Sequence, residues 1–183
     1  MESKRFSNPR PSSNSCLLDT CNEFNRDTLM SEHNSITPEE AADRLSIREL
    51  VDAYAHYADH RDAPSQMSLF TPDTRFIVYR DAKNQQPSQT VTSRHGLAPV
   101  FEELKKYEAT MHFIGQSTIF SVGAAEAKGE TYCLAHHITV KGGKRSLMVA
   151  ALRYLDAFVK QGARWLFAER RLYVIWIEER PLS

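Results

Sequence analysis

The stretch MHFIGQ, residues 111–116, decides the fold class, because the periodicity of the chain changes there from helical to strand-like. From this point onward, runs rich in β-branched and aromatic residues occupy about 111–121, 126–140, 145–159 and 164–178. Glycine-containing segments between the runs predict tight turns. Helices followed by an antiparallel meander are typical of an α+β fold. We predict a cone-shaped α+β barrel, in which N-terminal helices pack in a strongly curved, mainly antiparallel sheet.

The strongest helix signal lies upstream of this sheet. Thr37 suits an N-cap, Pro38 suits the first helical position, and Glu40 completes a capping box. The apolar stripe that follows predicts a helix as far as about Asp59. The shorter elements predicted downstream are a helix over 64–70, a strand over 75–79, a loop and candidate flap over 81–93, and a helix over 97–107.

Composition limits the class of protein. The chain has 183 residues, 42% of them apolar, which is enough for one domain with a core. Basic and acidic residues number 23 each, which argues against a nucleic-acid or membrane partner, and no apolar run is long enough to span a bilayer. Residues 1–35 are polar and lack periodicity, so we expect a flexible N-terminal arm before a single domain over 36–180.

Cysteine and histidine usage argues for a reduced protein without a metal. The three cysteines are scattered, and no Cys/His spacing typical of a metal site occurs. The N-terminus lacks the apolar segment of a signal peptide. We therefore expect a cytoplasmic protein with no metal and no cofactor.

Asp59 and His112 are the candidate catalytic pair. Asp59 lies at the predicted end of the long helix, where a buried carboxylate needs a partner. His112 lies in a strand and shares a face with Ile114 and Gln116. A carboxylate that orients an imidazole inside an apolar cup makes a general base. The alternatives are a solvated helix end for the aspartate and an ordinary core or surface position for the histidine.

Further side chains are candidates for the lining of the cup. His137 and the histidine before it must face opposite ways, and the small residues on the face of His137 favour an inward position for it. Tyr79 offers a phenol at its strand end, either to a substrate oxygen or only to packing. Arg170 shares an apolar face with Trp176 and lies either at the rim or beside a buried acid, for which Asp59 is one candidate.

From Glu40 to Glu178 the chain resembles the SnoaL-like proteins of the nuclear-transport-factor-2-like (cystatin-like cone) superfamily. Within it, the resemblance is greatest to scytalone dehydratase and hexachlorocyclohexane dehydrochlorinase. The segments that carry it are residues 47–50 leading to Asp59, 69–73, 112–115, 129–132, 162–165 and 170–176. The resemblance covers about three quarters of the chain and implies the same cone fold.

The resemblance implies roles for individual residues. In that family a helix-end aspartate, matched by Asp59, accepts from one ring nitrogen of a strand histidine, matched by His112. The other ring nitrogen then removes a substrate proton. His137 matches the second histidine of scytalone dehydratase, and Tyr79 matches one of its two water-binding tyrosines. Arg170 falls where the dehydrochlorinase has a pocket arginine.

The chain departs from those enzymes around the substrate. Ala58 stands where the second water-binding tyrosine would fall, which leaves open whether Tyr54 or Tyr57 compensates. Leu152 and Tyr154 stand near the positions of the dehydratase's substrate-binding amide and hydroxyl. The changed lining argues against scytalone itself as the substrate. The expected substrate-binding residues are Tyr54, Tyr154, Arg170 and Trp176.

These residues predict a cofactor-independent, dehydratase-like lyase or an isomerase that acts on a small, apolar, oxygenated substrate. The same fold supports a polyketide or terpenoid cyclase and an epoxide hydrolase. It also supports a non-catalytic ligand-binding or assembly module, such as the small subunit of a ring-hydroxylating dioxygenase. Apolar strands on the outside of the sheet predict a homo-oligomer, either a dimer or a trimer.

Overall fold

The computed structural model describes residues 36–182, so the N-terminal arm predicted over 1–35 lies outside the described residues. Within these described residues the fold has three α-helices and six strands, with a short 3-10 helix on each side of the third α-helix. The helices are α1 (Pro38–His60), α2 (Ala63–Met67) and α3 (Ala98–Glu102). The strands are β1 (Phe70–Tyr79), β2 (Gln89–Val91), β3 (Ala109–Val122), β4 (Glu126–Lys141), β5 (Lys144–Gln161) and β6 (Arg164–Leu182).

The six strands form one sheet in the order β2-β1-β6-β5-β4-β3. Every neighbouring pair is antiparallel except β1 and β6, which run parallel. The sheet is strongly curled but unclosed, because its end strands β2 and β3 do not pair with each other among the described residues. The predicted α+β cone, with helices packed in a curved and mainly antiparallel sheet, is confirmed.

Helix α1 begins and ends where its sequence signals place it. The Thr37 side chain accepts a hydrogen bond from the Glu40 backbone N–H at 3.2 Å, and Pro38 occupies the first turn. The helix ends at His60, and its C-cap residue Arg61 has a φ of 54°, in the left-handed region, while the Arg61 N–H donates to the carbonyl of Ala58 at 3.0 Å. The last turn therefore fixes the position of Asp59.

Helix α1 also lies along β3, the strand at one free edge of the sheet. Arg44 and Arg48 donate to the backbone carbonyls of Ile119 and Gly115 at 3.0 and 3.4 Å. Asp59, near the other end of the helix, accepts from a third backbone group of β3. A free strand edge has unpaired backbone groups, so these side chains both protect the edge and set the helix in register with it.

The inner face of the sheet and the buried face of α1 enclose the core. Five aromatic rings contact one another at centroid distances of 5.0–6.1 Å: Tyr54, Phe70, Phe76, Phe101 and Phe167. They come from α1, β1, α3 and β6, so this cluster joins the helices to the centre of the sheet.

The segment between α1 and β3 differs from its prediction in detail. The second helix is shorter than 64–70, because Phe70 already pairs with Phe167 of β6. The register shifts before Arg75, across Pro72, which has no N–H to donate to the ladder. The loop predicted over 81–93 contains the short strand β2, and the helix predicted over 97–107 is the shorter α3 between two 3-10 helices.

Candidate active site

A cavity of about 220 Å³ lies between α1, the segment around α3 and the inner face of the sheet. Its walls are largely apolar: Phe76, Val78, Val100, Leu104, Leu152, Leu172 and Val174 line it. Nine of the lining residues have polar side-chain atoms: Tyr54, Gln66, Arg80, Gln89, Glu103, Tyr107, His112, His137 and Tyr154. Apolar walls with a few convergent polar groups are typical of a small-molecule site.

His112 and Asp59 form a close pair at this cavity. The His112 Nδ1 lies 2.7 Å from Oδ1 of Asp59, and the His112 backbone N–H donates to both carboxylate oxygens at 3.0 and 2.9 Å. The side chain of His112 is 8% exposed and that of Asp59 is 26% exposed. Because Nδ1–H donates to the carboxylate, Nε2 keeps its lone pair for a ligand in the cavity.

The carboxylate of Asp59 is held in its charged form. Burial raises the pKa of this carboxyl, but the hydrogen bonds from the ring and the backbone N–H of His112 outweigh it, so the pKa of Asp59 is lowered. Asp59 therefore stays negative at neutral pH. It can stabilise a positive charge on the imidazole as His112 takes up a proton.

His137 is the second imidazole of the cavity. It is 7% exposed, and its ring lies edge-on to His112 with centroids 5.5 Å apart and 4.4 Å from the Tyr107 ring. Its Nδ1 is buried without a hydrogen-bond partner among residues 36–182. Burial, with a smaller effect of His112, lowers the pKa of His137 to about 4, so this ring is neutral at pH 7. The inward position predicted for His137 is confirmed.

Arg170 lies beneath the cavity and does not line it. It is fully buried, and its Nε and Nη2 donate to the two oxygens of Asp156, each at 2.8 Å. The predicted buried acid exists, but the candidate Asp59 was wrong. A regular hairpin between β5 and β6 would pair Asp156 with Glu169. In the structure Ala168 is an extra residue in β6, so Asp156 pairs with Arg170 instead.

Two predicted site residues lie on the outer face of the sheet. Tyr79 stacks on Tyr173, with ring centroids 4.5 Å apart, because strand alternation turns Val78 inward and its neighbour outward. Trp176 is 57% exposed and also faces outward. Ile175 is an extra residue opposite β5, so the alternation that would turn Trp176 inward reverses there. The expectation that Tyr79 and Trp176 contact a ligand in the cavity was therefore wrong.

Sequence reasoning missed Tyr107 and Gln66 as lining residues. Tyr107 follows the second 3-10 helix, and Arg61 holds it by donating to the carbonyls of Tyr107 and Glu108, each at 3.0 Å. Gln66 is buried in α2 and lines the cavity. Neither residue has a local signal in the sequence, because Gln66 stands between Ser65 and Ser68 in a partly polar segment and Tyr107 is held by a long-range bond from Arg61.

Metal-binding clusters and membrane-spanning helices are both absent from residues 36–182. No group of three or more His, Cys, Asp or Glu side chains in that range is placed to hold a metal ion. None of its helices has the length and apolar character needed to cross a bilayer.

Solved structures that share this fold include the following three. A proposed scytalone dehydratase from Novosphingobium aromaticivorans is 20% identical, with a TM-score of 0.68 over 81% of this chain and 94% of that one. A type 2 hexachlorocyclohexane dehydrochlorinase, LinA, is 18% identical, with a TM-score of 0.63 over 78% and 90%. The β subunit of a proposed aromatic-ring-hydroxylating dioxygenase from N. aromaticivorans is 20% identical, with a TM-score of 0.62 over 74% and 91%.

At these identities the three structures establish the fold alone. No curated protein matches the chain. The SnoaL-like domain, however, matches residues 39–171, which include α1, all of the cavity except its last two residues, Leu172 and Val174, and both members of the Asp59–His112 pair. The chain therefore belongs to the SnoaL-like domain family.

Proposed function

We propose that the protein is a cofactor-independent lyase, dehydratase-like, or an isomerase, with His112 as general base and Asp59 as its orienting carboxylate. The substrate is a small, largely apolar, oxygenated molecule. One observation carries the proposal: the 2.7 Å contact between His112 Nδ1 and Asp59 stands at the wall of an apolar cavity. An imidazole with a fixed tautomer and a half-buried carboxylate beside it is poised to accept a proton.

The reaction begins when Nε2 of His112 takes a proton from a carbon of the substrate. The imidazole becomes positive, and the negative charge of Asp59 stabilises it. A base positioned in this way contributes roughly 10²- to 10⁴-fold to the rate.

His137 acts on the oxygen side of the substrate. Because it is neutral at pH 7, one ring nitrogen can donate to a leaving hydroxyl or a developing enolate oxygen while the other accepts. Tyr54 and Tyr154 line the same space and bind the substrate. Tyr79, on the outer face, has no part in this scheme.

Proton exchange tests the general base without knowledge of the natural substrate. Small cyclic ketones such as 1-tetralone are incubated in D2O, and NMR follows the loss of the protons next to the carbonyl. We expect exchange with the wild-type protein and its loss in His112→Ala and Asp59→Asn. Asp52→Asn is the matched control, because Asp52 is a half-exposed carboxylate on the same helix, paired with Arg48. Equal exchange rates in all four proteins would refute the base.

Two other functions fit the same cavity. A cyclase or an epoxide hydrolase would use the same pair, and ring closure or incorporation of oxygen from H₂¹⁸O into the product identifies them. The likeness to a dioxygenase β subunit favours a non-catalytic assembly module. A ligand that occupies the cavity and is recovered unchanged, together with no exchange activity, is the result expected of that module.

We also propose a homo-oligomer, dimer or trimer, located in the cytoplasm. Large apolar side chains of β3, β4 and β6 are exposed on the outer face of the sheet: Met111, Phe113, Leu134, Ile175 and Trp176. Such a patch is costly to leave in water. Sedimentation equilibrium of the wild type and of Phe113→Glu, with a monomeric mass expected only for the variant, tests the assembly.

A further inference from the structure

A positive charge is buried directly beneath two phenol side chains of the cavity. The guanidinium carbon of Arg170 lies 4.2 Å from the ring centroids of both Tyr54 and Tyr154, and 4.1 Å from that of Phe167. Arg170 is 0% exposed, so water does not screen its charge. A cation against the face of an aromatic ring attracts the electrons of that ring.

Asp156 accepts hydrogen bonds from only one edge of the Arg170 guanidinium. Nε and Nη2 of Arg170 bond the carboxylate, whereas Nη1 has no hydrogen-bond partner among the described residues. Asp156 contacts the guanidinium edge, and the rings of Tyr54 and Tyr154 cover other parts of it. Asp156 balances the unit charge of the guanidinium, but the effect of Arg170 on the Tyr54 hydroxyl exceeds that of Asp156, so the positive member of the pair dominates at that phenol.

Both phenols keep their protons at neutral pH. Burial raises the pKa of Tyr54 and raises that of Tyr154 well above the usual range, and the charge of Arg170 opposes the rise in both. Each hydroxyl is thus a neutral donor. The opposing effect of Arg170 means that the guanidinium favours negative charge at these oxygens, or on an atom that accepts a hydrogen bond from them.

We propose that Tyr54 and Tyr154 form a paired-phenol site for a substrate oxygen that becomes negatively charged, with Arg170 as the positioning residue that strengthens both donors. The inference rests on the proposed function and narrows its substrate class to enolisable carbonyl compounds. His112 takes the proton next to the carbonyl, and the electron pair of the broken C–H bond forms the C=C bond. The π electrons of the carbonyl move to its oxygen, which lies between the two phenols, so of the two roles given to His137 the donation to the leaving hydroxyl remains.

The site is tested by the binding of 4-nitrophenol, whose phenolate absorbs at longer wavelength than the phenol, with nitrobenzene as the analogue that lacks the hydroxyl. The wild type should bind the phenolate more tightly than nitrobenzene and lower the pKa of the bound probe. Tyr54→Phe and Tyr154→Phe should each weaken phenolate binding by roughly ten- to hundredfold and leave nitrobenzene binding unchanged. Tyr79→Phe, which removes a hydroxyl on the outer face, is the matched control and should change neither.

Arg170 is tested in the charge-balanced variant Asp156→Leu/Arg170→Met, which removes both ions together. It should retain nitrobenzene binding and lose both the preference for phenolate and the shift of the absorption band. Should this variant fail to unfold cooperatively, the two Tyr→Phe variants decide the question. Phenolate preference that persists in both, or no preference in the wild type, overturns the proposal.

His112→Ala separates this inference from the general base. Phenolate preference should persist in His112→Ala, because the positive charge that we propose belongs to Arg170. Preference that disappears in His112→Ala and persists in Asp156→Leu/Arg170→Met would assign the anion site to the imidazole and overturn the inference. If the wild type prefers the phenolate but does not catalyse proton exchange, the general base is refuted and the phenol site is still supported.

Discussion

Asp59 and Asp156 each hold a basic side chain within this cone, and the two pairs differ in what the basic partner can do. Asp59 holds His112 at 2.7 Å and Asp156 holds Arg170 at 2.8 Å, so the contact distances are nearly equal. The Asp156–Arg170 side chains are 0% exposed, whereas those of the Asp59–His112 pair are partly exposed. An imidazole can gain or lose a proton near neutral pH, and a guanidinium cannot. The first pair can move a proton, and the second supplies a fixed charge.

The two pairs also arise differently from the chain. Asp156 and Arg170 face each other across the hairpin of β5 and β6, so their contact follows from strand pairing. Asp59 reaches His112 from the last turn of α1, and the carboxylate also accepts the backbone N–H of the edge strand. The titratable pair therefore depends on how a helix docks on the sheet, and the permanent pair on the sheet alone.

The largest expected difference between the pairs is in stability. Asp156→Asn leaves the Arg170 charge buried without its counterion, and should lower the free energy of unfolding by about 3–5 kcal/mol. The charge-balanced Asp156→Leu/Arg170→Met should cost less than Asp156→Asn alone, since neither ion is then left unpaired. Urea unfolding at pH 7 measures both. If the double variant were less stable than Asp156→Asn, the unpaired charge of Arg170 would not be the main cost. The contacts made by the two side chains would then be what stabilises the core.

His137 shows what burial does to an imidazole that has no carboxylate. Its folded-state pKa of about 4 lies below the usual 6.5, so the unfolded chain binds more protons between these values. The free energy of unfolding should therefore fall by roughly 3 kcal/mol as the pH drops from 7 to about 4. His137→Gln should remove most of this slope, measured by urea unfolding at several pH values.

The neighbouring His136 provides the control for that experiment. His136→Gln removes an imidazole from the opposite face of the same strand and should leave the pH dependence in place. A titration of His137 by NMR with a midpoint close to 6.5 would contradict burial as the cause of the low pKa, because a buried ring without a carboxylate cannot hold its proton as easily as one in water.

The sequence predicts the helix start and the turns of the cone better than it predicts which residues line the cavity. The start of α1 depends on local chemistry around Thr37 and Pro38, and the hairpin turns depend on glycine, so both can be read from neighbouring residues. The inward face of His137 follows from alternation along β4, a strand that pairs with β5 without interruption.

The errors concentrate where strands carry an extra residue. β6 contains two such positions, Ala168 and Ile175, and each reverses the alternation of the residues beyond it. The first hid the pairing of Asp156 with Arg170, and the second moved Trp176 to the outer face. Neither position has a glycine or proline to mark it, because the extra residues arise from the curvature of the whole sheet.

The smallest expected effect belongs to Asp59→Asn. The folded-state pKa of Asp59 is lowered, so its contribution to stability is present above the ordinary carboxyl pKa and is lost as the pH falls through the lower, folded-state value. The pair is partly solvated, and the amide oxygen of Asn can still accept from the His112 N–H, so the cost at pH 7 should be only about 1 kcal/mol. Urea unfolding at pH 7 and near pH 3 should show that the difference in stability between wild type and variant shrinks at the lower pH.

If Asp59→Asn were as costly as Asp156→Asn, burial would not explain the difference in stability between the two pairs. If Asp59→Asn instead causes a small loss of stability and a complete loss of proton exchange, the role of Asp59 is to orient the imidazole of His112 and to stabilise its positive charge.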